Sequence, residues 1–227
     1  MDQLQRIRDG YEVGGRRIAR RVARRLLRPI GSINPNAVTY LGTILNGVAA
    51  VLAFREQFLA AAIVFLIGSM MDAMDGAIAK VTGQVSAFGG FLDSTLDRVS
   101  EGLVVGGIGL MFANEGGHLW PVAACYVAIG ASFLVSYTRA KAEALGVQAK
   151  GGLASRVERV AVLAAGLLFA TWWTHALEVA VYVLAVTAVL TVFQRVAHVK
   201  KALPGGHKPR RERSNRKSRT DYVEQPK

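Results

Sequence analysis

Apolar residues in this chain come in blocks rather than in stripes. Six blocks run at roughly 36–54, 57–78, 92–113, 119–140, 157–174 and 176–198. Most approach the ~20 residues with which an α-helix crosses ~30 Å of hydrocarbon. A soluble domain of 227 residues would show amphipathic periods instead. In lipid, backbone polar groups must be satisfied within the segment, so blocks of this kind fold as helices. With 52% hydrophobic and 19% charged residues, the expected fold is an all-α membrane protein with six transmembrane helices.

The net charge of +12 is concentrated in the tails. Residues 1–29 hold nine Arg against three acids, and residues 200–227 hold ten Lys or Arg against three acids. Basic tails beside a polytopic core favour anionic lipid headgroups over nucleic acid. Connections near 80–91 and 139–159 carry Lys80, Arg139, Lys141, Lys150, Arg156 and Arg159, whereas those near 55–56, 114–118 and 174–175 carry only Arg55. The positive-inside rule then puts both termini in the cytoplasm of a multi-pass cell-membrane protein.

Between residues 3 and 28, Ile18, Val22, Leu26 and Leu27 alternate with arginines at helical spacing. That pattern suits a helix lying in the headgroup plane, with a solvated basic helix as the alternative. The expected organisation is an amphipathic juxtamembrane helix over 1–30, a six-helix domain over 31–200, and a basic disordered tail over 201–227. Asn36 is a candidate cap for the first span. The single cysteine, Cys125, excludes an internal disulfide and reads as a small buried filler. Gly102 and Gly106 allow close helix approach, within one subunit or between two.

Against this apolar background stand Asp72, Asp75, Asp93 and Asp97. The first two are spaced i,i+3 and the last two i,i+4, so each pair shares a helix face. Carboxylates at membrane depth are costly unless paired, hydrated or bound to a cation. Four together call for positive charge between them. Hard oxygen ligands suit Mg²⁺ or Mn²⁺, and two such ions ~4 Å apart can hold both the attacking and the leaving oxygen of a phosphoryl displacement. Pairing with Lys80, Arg98 and Arg139 is the purely structural alternative. By topology the quartet lies at the cytoplasmic end of spans two and three.

The full pattern is Asp72-x-x-Asp75-Gly76-x-x-Ala79-Lys80, eight residues, then Gly89-x-x-x-Asp93-x-x-x-Asp97. It resembles the signature of the CDP-alcohol phosphotransferases, membrane enzymes that build phospholipids from a CDP-activated donor. The resemblance implies that Asp72, Asp75 and Asp93 are metal ligands, and that Asp97 is both a ligand and the general base on the acceptor hydroxyl. It further implies that Gly76, Ala79, Lys80 and Gly89 border the donor nucleotide and diphosphate. Lys80 stands where the family usually has Arg, keeping the charge but losing the bidentate fork. Upstream, INPNAVTYLG resembles the stretch opening the family's first span, which places Pro35, Asn36 and Thr39 on the nucleotide side.

Further along, SYTRAKAEALG, GGLASRVERV and FQRV resemble the phosphatidylinositol-phosphate synthase branch. The resemblance implies inositol phosphate as acceptor, with Ser136, Arg139, Arg156, Arg159 and Arg195 as its phosphate cradle, and a homodimeric assembly. Arginine suits bidentate phosphate binding. Cytoplasmic loop ends also collect basic residues for topological reasons alone. The expected reaction transfers a phosphatidyl group from CDP-diacylglycerol, or an ether-lipid analogue, to inositol phosphate. Glycerol 3-phosphate is the rival acceptor, since it too carries a phosphate. A membrane prenyltransferase is disfavoured by span number and aspartate spacing. A divalent-cation carrier is disfavoured because the acids cluster toward one leaflet.

Overall fold

The computed structural model describes residues 34–203 except 115, 117–118, 148–154 and 174. The expected helix over 1–30 and the tail beyond 203 lie outside the described residues. Those described form six α-helices and no strand: α1 (Pro35–Phe54), α2 (Phe58–Thr82), α3 (Ala87–Asn114), α4 (Leu119–Ala144), α5 (Arg156–Ala170) and α6 (Ala176–Ala202).

Local chemistry sets the helix ends. The α1 cap is Asn34, whose side chain accepts from the Asn36 amide, so the capping residue lies two positions before the one expected. Pro35 follows in the first turn, where its missing N–H costs nothing. Helix α2 ends at Gly83, whose φ of 72° lies in the left-handed region that glycine enters freely. Ser155 and Glu158 form a reciprocal capping box that starts α5.

Among the described residues, four helices are long and apolar enough to cross a bilayer: Pro35–Phe54, Phe58–Lys80, Leu119–Ala144 and Ala176–Ala202. Six transmembrane helices were expected, and the other two differ from these four for definite reasons. Helix α3 carries Asp93, Asp97, Arg98 and Glu101 within its first 15 residues. Helix α5 has 15 residues, about 22 Å at ~1.5 Å per residue, short of a full hydrocarbon crossing.

Helix α1 packs against both α2 and α3, while α2 and α3 barely meet; α4 packs on α6 and α3, and α5 rests on α6 and α2. The core is small and aliphatic, with Ala49, Ala53, Val104, Ile108, Leu163, Leu167 and Val181 fully buried. Large apolar side chains such as Ile44, Val51, Ile63, Leu110, Tyr126 and Phe193 point outward. Exposed apolar faces on helices of this length mark a membrane protein.

Candidate active site

Asp72 and Asp75 project from one face of α2 and are 3% and 4% exposed. Asp93 and Asp97, one turn apart on α3, are partly buried. The resulting polar centre sits at the Lys80 end of α2 and the Ala87 end of α3, around the turn that joins them.

One wall of this centre is a cavity of about 130 Å³. All seven residues expected on the donor side line it: Pro35, Asn36 and Thr39 from α1, Gly76, Ala79 and Lys80 from α2, and Gly89 from α3. Asp75 and Asp93 face the same space. Thr39 donates its hydroxyl to Asp75 Oδ2 at 2.5 Å, which ties the first helix to the motif.

Asp72 and Asp97 lie on the other side, in a tight polar pocket with Asn46, Ser100, Glu101, Arg156 and Arg159. Arg156 Nη2 reaches Asp72 Oδ2 at 2.9 Å and Asp97 Oδ1 at 2.7 Å. Arg98 stands 3.7 Å from Asp97. The structure thus puts Arg156, from the acceptor set, on two of the four aspartates. Neither Lys80 nor Arg139 is their main partner. Gly42 makes room for this: a Cβ there would lie 2.3 Å from Asp72 Oδ1.

The remaining acceptor-side residues divide. Ser136 and Arg139 of α4 share a wide groove of about 700 Å³ with Asp93 and Arg98. There Arg98 Nε donates to Ser136 at 2.8 Å, and Arg139 pairs with Glu143 at 2.9 Å. Arg195 donates to the Val135 carbonyl from α6, next to Ser136. Arg159 is 8% exposed and holds Glu101 through two nitrogens, at 2.7 and 2.9 Å. It lines the polar pocket of Asp72, Asp97 and Arg156 rather than the groove. Glu101 and Ser132 were missed in the sequence; the available signal was an acid one turn after Asp97 inside an apolar block.

The donor set fits a hard dication. Asp72 Oδ1 and Asp93 Oδ1 are buried without a hydrogen-bond partner, and such orphaned acceptors are costly unless a cation takes them. In the observed rotamers no three ligating side chains close on one point among the described residues. Arg156 supplies the positive charge between Asp72 and Asp97.

Fold and site together define a helical membrane protein whose polar centre is built from carboxylates on two adjoining helices. Residues 32–193 match the model of the CDP-alcohol phosphatidyltransferase family, and the chain belongs to that family. It is 36% identical over 176 residues to an archaetidylinositol phosphate synthase of Pyrococcus horikoshii, covering 77% of this chain and 87% of the relative. It is 34% identical over 203 residues to a phosphatidylinositol phosphate synthase of Cutibacterium acnes, covering 85% and 97%. The crystal structure of Mycobacterium tuberculosis phosphatidylinositol phosphate synthase with CDP-DAG bound matches with a TM-score of 0.72 at 34% identity, over 81% of this chain and 94% of that one. The same mycobacterial enzyme in complex with manganese and citrate matches with a TM-score of 0.71 at 33% identity, over 78% and 87%.

Proposed function

We propose that this protein transfers a phosphatidyl group from CDP-diacylglycerol, or an ether-lipid analogue, to inositol phosphate, giving phosphatidylinositol phosphate and CMP. The observation that carries the reading is the single cavity in which Thr39, the motif glycines, Lys80, Asp75 and Asp93 converge. A nucleotide fits between α1 and the α2–α3 turn, with its diphosphate against the aspartates and its lipid tails outside the bundle.

Asp72, Asp75, Asp93 and Asp97 would hold Mg²⁺ or Mn²⁺, as two ions. Bound there, such ions would supply the positive charge that offsets the diphosphate and the charge developing on the departing nucleotide. Asp97 takes the proton from the acceptor hydroxyl. The freed oxygen attacks the lipid-side phosphorus, the phosphorus–oxygen bond to CMP breaks, and CMP leaves. Ser136, Arg139, Arg156, Arg159 and Arg195 orient the acceptor phosphate from the ends of α4, α5 and α6.

In this reading all six helices are embedded in the cell membrane, both termini are cytoplasmic, and the basic tails bind anionic lipids. A homodimer would form along the apolar groove lined by Gly102, Gly106 and Leu110, of about 450 Å³.

The test is CMP release by purified protein with Mg²⁺ or Mn²⁺, CDP-lipid, and inositol phosphate or glycerol 3-phosphate in parallel. Release with inositol phosphate supports the reading. A clear preference for glycerol 3-phosphate replaces the acceptor, and no release with any polyol phosphate overturns the reading.

A further inference from the structure

Beside the contact between Asp97 and Arg156, in the same polar pocket, lies a second ion pair. Glu101 stands one turn after Asp97 on α3, and Arg159 one turn after Arg156 on α5. Arg159 Nε meets Glu101 Oε1 at 2.7 Å and Arg159 Nη2 meets Oε2 at 2.9 Å. Ser132 of α4 donates to the same Oε1 at 2.8 Å. Three helices therefore meet on one carboxylate, and the fork geometry fixes direction as well as distance.

A buried ion pair is weak evidence for stability, because desolvation offsets much of the attraction. What this one supplies is register. Helix α5 rests on α2 and α6, and it reaches α3 through long side chains. Its start is set by the Ser155–Glu158 cap. Arg156, in the first turn, is thus held by a cap on one side and by the Arg159–Glu101 fork on the other.

We propose that Glu101 is a positioning residue: acting through Arg159, with Ser132 as its brace, it holds α5 at the height where the Arg156 guanidinium spans Asp72 and Asp97. The kinetic consequence rests on the transfer reading given above; the metal-binding consequence does not. Loosening the fork has two effects of opposite sign. Arg156 competes less with a divalent cation for Asp72 and Asp97, so the cation binds more tightly. The acceptor phosphate loses a placed guanidinium, so its KM rises.

Glu101→Gln alone removes the negative charge beside the buried Arg159 guanidinium and costs stability. The informative variants are therefore Ser132→Ala, which only removes the brace, and the Glu101→Leu/Arg159→Met pair, which removes both charges. Mn²⁺ is titrated calorimetrically into full-length, substrate-free protein, and acceptor and donor KM are measured separately. The Mn²⁺ Kd is expected to fall about tenfold in the double variant and about threefold in Ser132→Ala, within the range of coupling between residues of one ion-pair network, and acceptor KM to rise about threefold in Ser132→Ala. Donor KM stays within about twofold. In an Arg156→Gln background the same changes leave Mn²⁺ affinity where Arg156→Gln alone puts it, because the effect runs through that side chain.

Unchanged or weakened Mn²⁺ binding in the folded variants overturns the proposal. That result needs no turnover, so it is distinct from failure of the transfer reading, which would appear as absent CMP release by the unaltered protein.

Discussion

Thr39 donates its hydroxyl to Asp75 Oδ2 at 2.5 Å across the α1–α2 interface. A residue 36 positions upstream thereby sets the orientation of a motif carboxylate. Thr39 also accepts no freedom of its own: its hydroxyl lies 3.2 Å from the Pro35 carbonyl one turn back. Thr39→Val keeps the shape and removes the donor. It is expected to lower kcat/KM for the CDP-lipid by about tenfold, as second-layer changes at metal sites do. Steady-state CMP release at varied donor concentration measures it.

Gly42 is the site at which one methyl group should do most harm. Its Cβ would stand 2.3 Å from Asp72 Oδ1 and 3.0 Å from the Gly68 carbonyl. Gly42→Ala is expected to cost about 1–3 kcal/mol through overpacking. It should also displace Asp72 and weaken Mn²⁺ binding. Thermal unfolding and Mn²⁺ titration of the same preparation report the two effects.

Asp97→Asn should abolish CMP release while leaving the fold and CDP-lipid binding largely intact. The amide keeps the volume but loses the base and a charge partner of Arg156. Retained turnover would show that another group takes the acceptor proton.

Chelation should stop the reaction, and Mg²⁺ or Mn²⁺ should restore it. Because the ion binds only the folded site, Mn²⁺ at 100 times its Kd should stabilise the chelated protein by about 2.7 kcal/mol. A denaturant midpoint that does not move with Mn²⁺ would argue against a site on these carboxylates.

Arg195 comes from α6 and donates to the Val135 carbonyl, beside Ser136. Arg195→Gln should raise the acceptor KM more than the donor KM. Equal changes in both would make Arg195 a packing residue of the α4–α6 interface.

That these residues would come together was legible in the sequence because most of them belong to a motif with rigid helical spacing. Asp75, Asp93, the glycines and the Pro35–Thr39 stretch line one cavity, with Asp72 and Asp97 in the pocket behind it. The acceptor side was less legible, since Arg139, Arg156, Arg159 and Arg195 look alike when basic residues gather at helix ends for topological reasons. Only the tertiary arrangement separates them: Arg156 turns to the aspartates, whereas Arg159 turns to Glu101. Glu101 escaped notice because its partner lies 58 positions away, so its place one turn after Asp97 did not show what it meets. Six apolar blocks did become six helices, but their charge and length differ enough that only four stand out as spans by composition.

Helices α2 and α3 lean on α1 and scarcely on each other. The gap between them is a built-in slot: a guest seated there breaks no helix contact and finds its walls already standing. Most of the ordering needed for recognition was completed when the chain folded, and so little is left to be done at each encounter. The cost of keeping such a slot open falls on α1, the helix that carries none of the four acids yet props apart the two that do.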